Sequence, residues 1–231
     1  MDNRVLPQPE KFASCPYDEK ILDFYKGQFD SVFVLLHPFF YPRKSNIDRV
    51  FPEHCPSKLE IIETCESVSW KRIIELTELS SFAQIDVGLR TSIHGLKKEI
   101  ANEDYASRLI ELTEKENIIR PSEGQLPPLL ENRIFEAIKV LGHEWLWVGD
   151  EFGTERKLHW IDDLIKNDLI PVHGCVFTHD HSLLVTTHWD SHCSFLCSSK
   201  ETIEKILQLE DFEGFYCTES TEVYWGVYEA L

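Results

Sequence analysis

The chain has 231 residues, 42% apolar and 12% aromatic, which is enough for a packed core and excludes disorder as its general state. Its formal charge of -17 repels phosphate backbones and anionic lipid surfaces, so nucleic acid and membrane are excluded as partners and a basic protein partner is permitted. The same acidity would also serve solubility alone. The longest near-apolar run, Val32 to Phe40, falls short of the ~20 residues a membrane helix needs, and the N-terminus lacks the basic-then-apolar pattern of a secretion signal. A cytoplasmic location is expected. Seven cysteines, an odd number at irregular spacing, are expected to be free thiols there, packed mostly as small apolar groups.

Residues 1 to 57 hold seven prolines (Pro7, Pro9, Pro16, Pro38, Pro42, Pro52 and Pro56), each of which removes a backbone donor and restricts the residue before it. Long regular elements are excluded there, and the segment reads as an irregular arm wrapped on a core. It has room for a short helix within Asp18 to Tyr25, where Ile21, Leu22 and Tyr25 fall at helical spacing, and for a buried strand over Ser31 to Leu36. Ser57-Lys58-Leu59-Glu60 carries the reciprocal Ser and Glu of a capping box and opens a series of helices. Helical spacing continues over Ser69 to Leu79 and, weakened by Gly88 and Gly95, over Phe82 to Leu96. Tyr105, Leu109 and Leu112 mark a helix after Asn102, and Leu130, Ile134, Ile138 and Leu141 mark one after Pro127 and Pro128 that Gly142 is placed to end.

From His143 the period shortens. His143 to Val148 reads as a strand, and Leu158, Ile161, Leu164 and Ile165 return to helical spacing before Pro171. Val172 to Thr178, Leu183 to Trp189 and Cys193 to Cys197 form a meander, with turns at His179 to Ser182 and Asp190 to His192. Ser198-Ser199-Lys200-Glu201 opens a last helix, and Val223 to Tyr228 closes the chain as a strand. The fold class is therefore α+β: a helical N-terminal half packed on a C-terminal antiparallel sheet flanked by helices. A single domain over residues 1-231 is expected, with a possible sub-division into a mainly helical 1-126 and a sheet-bearing 127-231.

Six of the ten histidines fall between His159 and His192, so chemistry is most plausibly sought there. If the first hairpin has an even loop, partners sum to 361 and Cys175 faces Thr186, Phe177 faces Leu184 and His173 faces His188. A three-residue turn at Asp190 to His192 then puts Val172, Val176, Leu183, Val185, Trp189, Cys193, Phe195 and Cys197 on a core face. His173, Cys175 and His188 share the opposite face, with Ser194 beside His188. Those three residues are the candidate catalytic and metal-ligating set. Two histidines and a cysteine on one strand face could hold zinc, or an imidazole could activate the thiol for hydrolysis. They are also what a half-buried polar sheet surface contains, and no other cofactor is indicated. His179 and His181 flank Asp180 in a turn that suits solvated histidines better than a metal. His54 and Cys55, between Pro52 and Pro56, read as a rigid turn. Acidic and aromatic residues interleave from Glu210 to Glu222, a composition suited to a solvated loop or to a surface that binds a basic protein.

The block His179 to Leu196 (HDHSLLVTTHWDSHCSFL) and the ending Glu222 to Glu229 (EVYWGVYE) resemble a family found mainly in Bacillus and related bacteria and described only as a domain of unknown function. The resemblance spans most of the chain and implies no activity and no functional residue. A looser likeness, without a shared motif, is to acidic α+β toxin-immunity proteins of bacteria. Two functions follow: a non-enzymatic binding or immunity-type protein recognising a basic protein partner, or a metal- or thiol-dependent hydrolase with its His and Cys site on the 172-189 hairpin.

Overall fold

The computed structural model of the chain describes residues 8–17, 19–43 and 56–223. Asp18, the His54 and Cys55 turn and most of the expected final strand lie outside the described residues. The strand predicted over Ser31 to Leu36 forms with those bounds (β2), after a 3-10 turn at Lys11–Ala13, a two-residue strand β1 (Glu19–Lys20) and the short helix α1 (Ile21–Phe24). Pro38 follows it closely, and the chain turns into β3 (Phe39–Pro42), which pairs with β4 (Cys65–Val68) in a separate two-stranded sheet.

Between them lies α2 (Lys58–Thr64), whose capping box is made as expected: the Ser57 hydroxyl accepts from Glu60 N–H and the Glu60 carboxylate accepts from Ser57 N–H. Helices α3 (Trp70–Thr77), α4 (Phe82–Ser92), α5 (Glu103–Glu116) and α6 (Pro128–Val140) follow the predicted series. Asn102 caps α5, Pro128 starts α6 at its first turn, and Gly142 takes the left-handed conformation past its end. Gly88 has a packing reason inside α4. A Cβ there would lie 2.7 Å from Leu109 Cδ1 and 3.0 Å from the Tyr105 carbonyl, so the missing side chain lets α4 and α5 touch.

The main sheet has seven strands in the order β10-β2-β9-β8-β7-β5-β6, with β5 at Trp145–Gly149, β6 at Arg156–Trp160, β7 at Cys175–Phe177, β8 at Leu184–Thr187, β9 at Cys193–Ser198 and β10 at Gly214–Tyr216. Every neighbouring pair is antiparallel. Helix α7 (Ile161–Lys166) follows β6, α8 (Lys200–Leu209) follows β9, and β11 (Glu222–Val223) pairs with β1. The architecture is α+β as expected, with helices on both faces of the sheet. One core joins Val32, Val34, Phe177, Leu184 and Phe195 to Trp70, Ile85 and Leu109 of α3, α4 and α5. The other joins Phe33, Leu35, Val176, Val185 and Leu196 to α6, α7 and α8 through Ile134, Ile161 and Ile203.

Three expectations are corrected. The pairing of β8 with β9 sets Thr187 opposite Ser194, where a three-residue turn would have set Trp189 opposite Cys193. A one-residue slip exchanges faces, so Cys193, Phe195 and Cys197 pack on the Cys175 side and Val176 and Val185 on the other. Both faces are core. Secondly, Leu158 belongs to β6, paired with Trp147; the helix begins only at Ile161. Leu158 lies three residues before Ile161 and so mimics a helical period, but the Asp150 carboxylate accepts from Thr154 N–H and Glu155 N–H and closes a hairpin. Thirdly, Val172 and His173 precede the strand. His173 adopts a left-handed conformation (φ 56) and has no ladder partner, so it does not face His188.

Two of the three helices over the second core, α6 and α7, are tied to α2 by a buried ion pair and its hydrogen bonds. Lys58 Nζ lies 2.5 Å from Glu131 Oε1 and also donates to the Leu164 and Asn167 carbonyls, with the paired side chains 2% and 4% exposed. Removing one partner leaves the other charge buried and unpaired. Lys58→Met is expected to destabilise by about 3–5 kcal/mol, and Lys58→Met with Glu131→Leu to recover most of that loss. Urea unfolding of both variants checks it; equal losses in the single and double variants would refute the role given to the pair.

Candidate functional site

The arm formed by residues 8–17 is drawn onto the sheet by contacts along its whole length. Glu10 pairs with Arg156 at 2.5 Å, Phe12 stacks on His181 with ring centroids 3.7 Å apart, and Tyr25 Oη donates to the Ser14 carbonyl at 2.7 Å. Beneath the arm lies a cavity of about 260 Å3, walled by Ala13 to Tyr17, the turn Asp150 to Phe152, and the segment Thr186 to Trp189. His173, Cys175 and His188 all line it. The three residues expected on one strand face thus line one cavity, although only Cys175 arrives there by the expected strand pairing.

Each of the three is already engaged. His173 sits between two carboxylates, with Nε2 2.9 Å from Glu123 Oε1 and Nδ1 3.0 Å from Glu151 Oε2, and its ring stacks on Trp189 at 4.6 Å. The carboxylates are fixed in turn. Glu123 accepts from Asp190 N–H at 2.8 Å and Glu151 from the Trp189 indole N–H at 2.7 Å. Gly124 (φ +62) admits this arrangement, because a Cβ there would lie 2.0 Å from His173 Nε2. Cys175 donates to the Ala13 carbonyl, and burial pushes its thiol up to about 12. His188 is pushed down to about 4, first by burial and then by the nearby Arg90 charge; its Nδ1 meets Ser191 Oγ at 2.8 Å and its Nε2 the Tyr17 carbonyl at 3.4 Å. A thiol near 12 beside a neutral imidazole does not form the thiolate–imidazolium pair of a cysteine nucleophile. Among the described residues no three His, Cys, Asp or Glu side chains are placed to hold a metal ion.

The mouth of the cavity carries residues that the sequence does not place there, and one of them, Trp189, expected on the core face, is exposed because the strand ends before it. Tyr17, Phe152 and Trp189 are 70%, 61% and 41% exposed, large for aromatic side chains. Asp150 and Glu151 stand among them in the wall. Burial pushes the Asp150 carboxyl up, but hydrogen bonds from the Thr154 hydroxyl and the N–H groups of Glu155, Thr154 and Gly153 outweigh it and hold the group below its ordinary range. The signal was present as Gly149-Asp150-Glu151-Phe152-Gly153, an acidic and aromatic turn directly after a strand. The interleaved segment after Glu210 is spent on structure instead: Glu210 pairs with Arg133 at 2.7 Å, Glu213 caps α3 through the N–H groups of Trp70 and Lys71, and Phe212 is buried. His179 accepts from the Trp147 indole, while Asp180 holds its turn through Thr178 and Ser182, as a turn reading requires.

A second polar group lies inside the sheet. His37 Nε2 is 2.7 Å from Ser194 Oγ, which is 2.9 Å from Thr187 Oγ1, and His37 N–H donates to the His192 carbonyl. Burial pushes His37 well down, with His192 adding to it, and pushes His192 down to about 3, with Arg90 and Arg120 adding to it. All three buried histidines are neutral in the folded state near neutral pH.

By fold and site this is an α+β protein with a seven-stranded antiparallel sheet and an aromatic-mouthed cavity under its N-terminal arm. No solved structure matches it. Residues 17–227 match the family described as "Protein of unknown function (DUF2711)", and the chain belongs to that family. It is 23% identical over 195 residues to a Bacillus subtilis (strain 168) protein described as "Uncharacterized protein YwbB", a match covering 79% of this chain and 80% of that protein. The resemblance to a Bacillus-type family is thus borne out. Among the described residues no helix is long and apolar enough to cross a membrane.

The histidines set the pH response. An unfolded histidine titrates near 6.5, so below that pH the unfolded chain binds protons that His37, His188 and His192 refuse in the fold. Stability is therefore fully present above 6.5 and lost as pH falls toward 4, at about 1.4 kcal/mol per pH unit for each group. Glu131 acts in the opposite sense. Burial raises it from 4.5 to about 7 against the pull of Lys58, so in that window the folded state holds one proton the unfolded state releases. The net expectation near the middle of the window is a loss of roughly 2–3 kcal/mol per pH unit. Urea unfolding across the window measures it, and a flat profile would contradict the burial of neutral histidines.

Proposed function

We propose that the protein is a non-enzymatic binding or immunity-type protein that recognises a basic protein partner, and that the cavity mouth receives a lysine or arginine side chain of that partner. The observation that carries this reading is the exposure of Tyr17, Phe152 and Trp189 around a cavity whose wall holds Asp150 and Glu151. Aromatic faces attract cations, and carboxylates beside them add a charge of the right sign. The chain's net charge of -17 supplies a long-range field that steers a basic protein toward it.

A second reading, the metal- or thiol-dependent hydrolase, has in its favour that His173, Cys175 and His188 line one cavity. It requires Cys175 to ionise or to meet zinc. The thiol pushed up to about 12 opposes ionisation, and among the described residues no three His, Cys, Asp or Glu side chains are placed to hold a metal ion. On the binding reading, iodoacetamide at neutral pH leaves Cys175 unmodified in the folded protein and modifies it in urea, as peptide mass spectrometry would show. Rapid alkylation of Cys175 in the native state, or a zinc-dependent rise in Tm lost in Cys175→Ser, would favour the hydrolase.

The binding reading is tested with a tetralysine peptide, and tetraglutamate as control, followed by tryptophan fluorescence at low and high salt. Tetralysine is expected to bind, more weakly as salt rises. Phe152→Ala, at an exposed position outside both cores, should weaken it by about 0.5–1 kcal/mol, the usual worth of an exposed cation–π contact. Equal binding of both peptides, or full affinity in Phe152→Ala, would sink the assignment to this mouth.

A further inference from the structure

We propose that the cavity of about 320 Å3 between the end of α4, the segment Ile119 to Glu123 and His192 is a second ligand site, and that it takes a small organic carboxylate. Its volume is at the lower end of small-molecule pockets, which run from roughly 300 to 1,000 Å3. His192 forms part of its wall, is only 2% exposed, and has an Nδ1 that is buried with no hydrogen-bond partner. Buried polar nitrogens are ordinarily paired, and a sealed Nδ1 is best left as the bare ring nitrogen, which puts the proton on Nε2. With the proton on Nε2, His192 brings a ring N–H donor to this wall.

Arg120 stands in the same wall and donates to Ser92 Oγ at 3.1 Å, a bond that uses one of its five N–H groups. Glu123 is the carboxylate of this wall, and its Oε1 is turned to His173 and to Asp190 N–H. The wall therefore presents a guanidinium and an imidazole, and its one carboxylate has Oε1 committed to His173 and Asp190. A planar carboxylate matches the guanidinium fork. The apolar remainder of the wall, Leu89, Ile93, Ile119 and Pro121, calls for an apolar body behind the carboxylate, which inorganic anions lack. Of the carbonyls at the end of α4, which would repel an anion, three are taken: Leu89 by Ser92 Oγ, Arg90 by Gly95 N–H and Thr91 by His94 N–H. The low proton affinity of His192, which Arg90 and Arg120 deepen after burial, reports the same local positive field. That field is local, because the chain's charge of -17 opposes anions at long range.

Benzoate is the probe, with benzamide and benzylamine as neutral and cationic matches of the same shape and inorganic phosphate as an anion without an apolar body. Benzoate is expected to raise the unfolding midpoint and to shift the His192 ring signals in NMR spectra, and the other three to do neither. Arg120→Gln, at an exposed position that folding tolerates, should weaken benzoate about tenfold or more, as loss of a charge-assisted hydrogen bond does. Phe152→Ala should leave benzoate binding unchanged, which separates this site from the aromatic mouth. The proposal is overturned if benzoate does not bind, if Arg120→Gln binds it as well as the natural chain, or if benzylamine or phosphate matches it.

Discussion

The structure depends on one strand pairing. β2, from the N-terminal arm, lies between β9 and β10 and takes six residues of antiparallel register from β9 alone. A strand in that position has both backbone edges paired and both faces under helices, so it must be apolar at every position. Ser-Val-Phe-Val-Leu-Leu meets that demand with five of its six residues buried. Its placement also dictates what happens at its end. Leu36 opposite Cys193 brings His37 against the 188–192 loop, where its N–H finds the His192 carbonyl and its ring finds Ser194. The possible boundary between 126 and 127 would thus divide strands that hydrogen-bond to each other.

This pairing brings polar side chains, His37, His188, His192 and Ser194 among them, into the buried interior. The loop after β8 must leave the sheet within a buried region, and its backbone and side-chain groups need partners there. Neutral histidines supply them at the least electrostatic cost, since an uncharged ring both donates and accepts without a buried charge. Lys58 and Glu131 are the opposite solution. There both groups are ionisable and stay buried because each satisfies the other, with two carbonyls completing the ammonium's shell.

Elements defined by local pattern could be read directly: the capping box at Ser57 and Glu60, the Asn102 cap, Pro128 at a helix start, and the 361 register that sets Cys175 opposite Thr186. What escaped was set by distant residues. β3 and β4 pair across residues 43 to 64, and β10 is a strand only because β2 offers it an edge. The face carrying Cys193 and Cys197 turned on a single residue of loop length, which composition does not encode. His173 reached the cavity for a reason no strand pattern contains, since Gly124, nearly fifty residues earlier, leaves the space its ring occupies. The mouth residues Tyr17 and Phe152 come from the arm and from the β5–β6 hairpin, whose second strand carries Leu158 at a helical spacing from Ile161.

One short loop gives the two cavities their common character. His188 and Trp189 line the cavity beneath the arm, and His192, three residues on, lines the one beside α4. Glu123 belongs to both environments, since it stands in the wall of the second cavity while its carboxylate holds His173 in the first. The opposite chemistry proposed for the two rests on that orientation. Turning Glu123 toward His173 places a carboxylate at the aromatic side, where Asp150 and Glu151 already stand, and directs that oxygen away from the second cavity. A side chain turned the other way would pair Arg120, leave His173 with one carboxylate, and erase the difference between the two sites. The Asp190 N–H, which binds the same Glu123 oxygen, settles that choice, and Asp190 is held in the left-handed conformation that aims it there.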